Sequence, residues 1–148
     1  MKRRDFLAAL TLAAIAPAAL AQQRPLVEVW RSPSCGCCGA WVKHLEENGF
    51  ATRVHMVEDT ASVRRRLGMP ERLGSCHTAK VGGYVVEGHV PASDIRRLLA
   101  GRPKALGLAA PGMPAASPGM DVPGSPPYDV LLVGDGGRTS VFARHPGT

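Results

Sequence analysis

Three of the chain's four cysteines, Cys35, Cys37 and Cys38, fall within four positions of SPSCGCCGAW, residues 32–41, and the fourth, Cys76, is followed by His77. Cys35 and Cys38 form a nested C-x-x-C, the spacing of a dithiol–disulfide pair when it lies after a strand and before a helix. A helix start favours the thiolate, because its free N–H groups and dipole stabilise negative charge and lower a thiol's pKa. Thiol–disulfide exchange needs only two sulfurs, however, and Cys37 would be a third that offers a non-productive disulfide partner. Adjacent Cys37 and Cys38 also suit a single tetrahedral zinc poorly, since structural zinc sites space their ligands so that the chain can wrap the ion. Neighbouring thiolates suit bridging, and soft sulfur donors select Cu(I), zinc or iron–sulfur clusters. Three readings stay open on these residues. One is a polynuclear thiolate site for copper or another soft metal, and a second is a thiol–disulfide oxidoreductase with Cys35 as nucleophile and Cys38 as resolving thiol. The third is a pair of structural disulfides, the default for four cysteines in an oxidising compartment.

The elements that must position these residues follow from hydrophobic spacing. Leu26–Trp30 reads as a strand ended by Ser32-Pro33, and Cys38, Trp41, Val42 and Leu45 then recur at i, i+3, i+4 and i+7 of a helix that stops at Asn48-Gly49. Trp41 is expected in the core beneath the cysteine loop. Phe50–Val57 reads as a second strand, followed by a helix capped by Asp59 or Thr60, running through Val63 and Leu67 and closed by Gly68 and Pro70. Its Arg64-Arg65-Arg66 run is expected to be a solvated face. Ala79–Val81 and Tyr84–Val86 flank Gly82-Gly83 as a hairpin, and Pro91–Leu99 forms a helix that buries Ile95, Leu98 and Leu99 and ends at Gly101. Strand, helix, strand, helix, hairpin, helix predicts an α/β chain with a thioredoxin-like central mixed sheet flanked by helices. In that fold the loop before the third strand touches the reactive cysteines and usually carries a cis-proline. Here it reads Gly74-Ser-Cys-His-Thr78, which places Cys76 beside the other three. Residues 101–127 are rich in Pro, Gly, Ala and Ser and predict an irregular loop, either a functional flap or a linker. A C-terminal hairpin over 128–143 pairs Tyr128–Val133 with Thr139–Ala143.

The first twenty-one residues read as an export signal, with a basic start, an apolar run too short and weak to span a membrane, and Ala19-Leu20-Ala21 before the expected cut. Arg3-Arg4-Asp5-Phe6-Leu7 resembles the twin-arginine signature. Cleavage leaves residues 22–148 as a single domain. Losing Lys2, Arg3, Arg4 and Asp5 lowers the formal charge from +6 to +4, and the remaining charge is scattered, which argues against a nucleic-acid partner. A periplasmic protein without membrane attachment after cleavage is expected.

Further marks sharpen the cysteine reading: Cys35-Gly-Cys-Cys38-Gly-Ala-Trp41, Ser75-Cys-His77, Tyr84-Val-Val-Glu-Gly-His-Val-Pro91, the pair Pro111-Gly-Met-Pro114 and Ser117-Pro-Gly-Met120, and the closing Tyr128-Asp-Val hairpin. With these the chain resembles the CopG-type periplasmic copper-resistance proteins, a bacterial domain of unknown function, over nearly its whole mature length. The resemblance implies a thioredoxin-like fold that has lost ordinary dithiol duty and holds a cysteine-bridged multi-copper cluster on Cys35, Cys37, Cys38 and Cys76. Copper, as Cu(I), is the expected ligand, and other periplasmic copper-handling proteins are the expected partners. Metal binding leads over catalysis; an enzymatic role would be that of a copper or thiol oxidoreductase.

Among the histidines, His77 can ligate the metal, hydrogen-bond a thiolate or face water, and it joins the four cysteines as a candidate ligand. His89 reads as an exposed strand-end residue unless that end approaches the cluster. His44 and His55 read as solvated faces, and His145 as part of a frayed terminus. Met113 and Met120 read as loop packing, with transient Cu(I) contact as the alternative. Replacing Arg3-Arg4 with Lys-Lys is expected to abolish periplasmic accumulation, measured by cell fractionation; a normal periplasmic yield refutes the twin-arginine reading.

Overall fold

A computed structural model describes residues 23–148, so the export segment and its twin-arginine signature lie outside the described residues. The elements are β1 (Leu26–Arg31), α1 (Gly36–Glu47), β2 (Ala51–Met56), α2 (Thr60–Arg66), β3 (His77–Val81), β4 (Tyr84–Glu87), α3 (Ala92–Gly101), β5 (Gly107–Ala109), β6 (Tyr128–Val133) and β7 (Thr139–His145). Seven strands form one sheet in the order β2-β1-β3-β4-β5-β6-β7. β1 runs parallel to β2 and antiparallel to β3, and β3 runs antiparallel to β4. With α1, α2 and α3 these four strands make the expected thioredoxin-like mixed sheet, which β5, β6 and β7 extend.

Local chemistry accounts for the boundaries. α1 buries Cys38, Trp41, Val42 and Leu45 along one stripe and ends at Asn48, after which Gly49 takes a φ of 85° that favours glycine. α2 is capped by Asp59, whose carboxylate accepts from the Ser62 N–H at 3.0 Å. Gly82 and Gly83, both at positive φ, make the tight turn between β3 and β4.

The central strands are covered on both faces. Trp41, Leu45, Ile95 and Leu98 from α1 and α3 pack on Val27, Val29, Val86 and Leu108, whereas Met69 and Leu73 pack on Val85, Ala109 and Val133. Adjacent residues such as Val85 and Val86 point to opposite faces, so every position of β4 is buried.

Several expectations need correction. Residues 101–127 are not irregular throughout, because Gly107–Ala109 enters the sheet between β4 and β6, parallel to the first and antiparallel to the second. A side chain at residue 107 would start 1.7 Å from the Val85 carbonyl oxygen, so glycine is what permits this strand to close on β4. Arg64 does not share the solvated face of Arg65 and Arg66 but is buried against the sheet. His145 is not frayed: it ends β7, stacks on Tyr128, and places its Nε2 2.6 Å from the Asp94 carboxylate. His44 and His55 are half-buried rather than simply solvated. His44 accepts from the Ala92 N–H at the start of α3, and His55 stacks on Trp30.

Leu45 is fully buried and Leu26 is 40% exposed. Leu45→Ala is expected to lose about 2–5 kcal/mol in denaturant unfolding of the metal-free protein, whereas Leu26→Ala changes it by less than about 1 kcal/mol. Equal losses at the two positions would contradict the packing of α1 on the sheet.

Candidate metal centre

The site forms where the turn after β1 meets the loop before β3. Arg31 at the end of β1 donates from Nη1 to the Cys35 carbonyl at 2.6 Å, and the Cys35 N–H bonds back to the Ser32 carbonyl at 3.2 Å. Cys35 is thereby set at the N-cap of α1, with Cys37 and Cys38 in its first turn. Cys38 is fully buried and forms a disulfide with Cys35, while Cys37 and Cys76 are free thiols. Cys37 Sγ lies 3.6 Å from Cys35 Sγ, and all four sulfurs lie within 4.8 Å of one another. The four predicted cysteines therefore converge, and Cys76 arrives from the pre-β3 loop as the fold requires.

Two imidazoles close the Cys76 side. His77 Nδ1 is 3.4 Å and His89 Nε2 is 3.2 Å from Cys76 Sγ, and the three residues offer ligand atoms within 4.8 Å of one another. His89 is fully buried, against the expectation of an exposed strand end, because the chain after residue 110 folds over it. Its Nδ1 is 2.7 Å from the Pro118 carbonyl, which can only accept, so Nδ1 carries the proton and Nε2 turns a lone pair toward the sulfur. His77 is fully buried too, packed against Trp41 with ring centroids 4.3 Å apart, and its Nε2 has no hydrogen-bond partner. Trp41 is the expected core residue beneath the cysteines and donates from its indole N–H to the Val90 carbonyl at 2.8 Å.

The electrostatics favour neutral donors. Burial holds the His77 imidazole down at about 3, reinforced by the neighbouring His89, and burial likewise lowers His89, so both rings are neutral near pH 7. Burial pushes the Cys76 thiol up to about 11; the Ser75 hydroxyl opposes the shift and Cys37 adds to it. Cys76 is therefore a protonated thiol whose S–H can donate to His89 Nε2, and a soft cation would take that proton's place. Closely set sulfurs and two neutral imidazoles, each with a ring nitrogen against the Cys76 sulfur, together fit a thiophilic metal.

Two buried polar residues beside the site escaped the sequence analysis. Glu87 is fully buried in β4 and accepts from Arg64 Nε at 2.8 Å, the Ser75 N–H at 2.7 Å and the Thr78 hydroxyl at 2.6 Å. The one available signal was an acid directly after the apolar run Tyr84–Val86 of a central hairpin; nothing distinguished Arg64 from its two arginine neighbours. Residues 110–121 form the flap that was one reading of the irregular segment. Gly112 donates to the Gly74 carbonyl at 3.0 Å and its own carbonyl accepts from the Ser75 hydroxyl. Gly119, at φ 88°, lies so close to α1 that a Cβ there would stand 2.7 Å from Trp41 N. On this flap Met113 is exposed and Met120 half-buried.

Comparison with known proteins bears on this centre. Residues 73–120 match a family described as "Protein of unknown function, DUF411". No curated protein matches the chain. Two solved structures resemble it. "Copper resistance protein copG- Form 2" is 44% identical, with 83% of this chain and 99% of that one covered at a TM-score of 0.78. "Copper resistance protein copG- Form 1" is 46% identical, with 82% and 98% covered at a TM-score of 0.77.

The His77 shift has a measurable consequence. Its folded pKa near 3 lies below the ordinary 6.5, so the unfolded chain takes the proton first. The contribution to stability is whole above pH 6.5 and is lost as pH falls toward 3, at about 1.4 kcal/mol per pH unit. Denaturant unfolding of metal-free protein from pH 7 to pH 4 is expected to show a steeper loss than the His77→Phe variant; parallel curves would refute a buried, neutral His77.

Proposed function

The chain belongs to the family of the CopG copper resistance proteins, and from that membership we propose that it binds Cu(I) in the periplasm on the thiolates of Cys35, Cys37, Cys38 and Cys76. The observation that carries this reading is the approach of four sulfurs to within 4.8 Å of one another from two distant chain segments. Adjacent sulfurs so placed can bridge ions, so the bound form is a multi-copper thiolate cluster serving copper resistance. All four sulfurs become available only when Cys35 and Cys38 are reduced: an external dithiol, itself oxidised to a disulfide, supplies the two electrons and two protons that convert their disulfide into two thiols, and each thiol gives up its proton to bind metal. His77 and His89 add neutral nitrogen donors beside Cys76, a donor type that suits both copper oxidation states and extends the reading to interconversion of Cu(I) and Cu(II). Other periplasmic copper-handling proteins are the partners that would supply or remove the ions. Among the described residues no helix is long and apolar enough to cross a membrane.

The Cys35–Cys38 disulfide favours a second reading, thiol–disulfide exchange with Cys37 as a bystander. Anaerobic titration of fully reduced protein with Cu(I) against a chromogenic chelator separates the two. More than one tightly held copper per chain is expected, and Cys76→Ser is expected to lower both the copper count and the affinity. Uptake of no more than a trace, together with insulin reduction that survives Cys76→Ser, refutes the copper reading in favour of the dithiol one.

A further inference from the structure

We propose that Glu87 and Arg64 are positioning residues of the metal centre, gripping the Ser75 residue at both its N–H and its carbonyl so that the Cys76 sulfur is set beside Cys37 before any metal arrives. The inference rests on the copper reading for its metal-bound consequence and on geometry alone for the rest. Glu87 Oε1 takes the Ser75 N–H at 2.7 Å, while Arg64 Nη2 donates to the Ser75 carbonyl at 2.7 Å. The two gripping groups are themselves joined at 2.8 Å, so the amide, the carboxylate, the guanidinium and the carbonyl close a ring around one residue. Thr78 holds the second carboxylate oxygen at 2.6 Å, and Glu71 meets Arg64 Nη1 at 3.2 Å.

The neighbouring backbone is shaped to admit this grip. A Cβ on Gly74 would stand 2.9 Å from the Arg64 guanidinium carbon, and one on Gly88 would stand 2.6 Å from the Ser75 hydroxyl and 2.7 Å from the Ala110 carbonyl. Two glycines thus make room for side chains and backbone that converge on Ser75. The sulfur belongs to the next residue, so the peptide orientation fixed at Ser75 sets the origin of the Cys76 side chain.

Packing alone does not account for a pair placed in this way. A buried ion pair returns little net stability over an apolar pair of similar volume, because desolvating both charges offsets their attraction. What charge-assisted bonds supply is direction. Here both partners direct a bond at the same residue, the one preceding a candidate ligand. A site whose ligands must reach bridging spacing gains from having one of them held before binding.

The test uses mature protein and its Glu87→Gln and Arg64→Lys variants, the second keeping its charge while removing the planar fork. With the Cys35–Cys38 disulfide intact, Cys37 and Cys76 are the two free thiols, and peptide-resolved alkylation of metal-free protein reads them separately. Both variants are expected to raise the Cys76-to-Cys37 alkylation ratio by about fivefold through local loosening. General destabilisation would accelerate both thiols together. In fully reduced protein, Cu(I) affinity measured by chelator competition is expected to fall about 10–100-fold, the usual effect of losing an outer-shell support. An unchanged ratio in a folded variant overturns the proposal, as does a ratio that rises with Cu(I) affinity intact. If Glu87→Gln fails to fold, Arg64→Lys carries the same two readouts. Should wild-type protein take up no Cu(I), the copper reading falls and the alkylation ratio alone decides the positioning role.

Discussion

A carboxylate with no exposed surface must find its donors inside the protein, and the way Glu87 finds them organises this molecule. Its three partners come from α2, from the loop before β3 and from β3 itself, so one side chain on β4 ties together segments that are separate in sequence. Burial pushes its carboxyl upward, and Thr78, the Ser75 amide and Arg64 pull it back, a balance that lasts only while all of these partners stay in place. The thiol of Cys76 sits one residue beyond this knot.

The centre joins two kinds of surroundings. On the α1 side the sulfurs stand at a helix start, with backbone N–H groups and the nearby Arg31 guanidinium favouring negative charge. On the β3 side neutral rings face the Cys76 sulfur, with an imidazole at 3.4 Å, another at 3.2 Å and an indole behind the first. At Cys76 an incoming cation therefore meets neutral imidazoles rather than imidazolium charge. The proton on Cys76 resists loss to water, since the bare thiolate would be poorly solvated there.

Much of this was legible in residue spacing, for reasons that can be stated. α1 could be read because its apolar residues recur at helical intervals, and the β3–β4 turn because few residues other than glycine suit two successive positive φ angles. The meeting of Cys76 with the other cysteines was legible only through the fold, which predicts where the pre-β3 loop lies. β5 was not legible: Gly107-Leu-Ala109 is too short to carry a period, and its strand character comes from neighbours on both sides. Arg64 and Glu87 are polar residues whose burial depends on a partner 23 positions away, a relation that local pattern does not encode. His89 was misjudged for a similar reason, since its cover arrives from Pro118.

The flap gives the site a history as well as a shape. The cysteine triplet lies near the start of the described chain, yet Pro118 and Gly119, which enclose His89 and rest on α1, come eighty or more positions later. During synthesis the first three thiols therefore emerge long before their fourth member and longer still before their cover. A nascent chain offers metals a loose, exposed set of sulfurs; the enclosed centre exists only once β5 has joined the sheet and carried the following segment back across the helix. Enclosure of the four sulfurs is in this sense a property of the finished molecule, acquired at the end of folding rather than at the moment the cysteines are made.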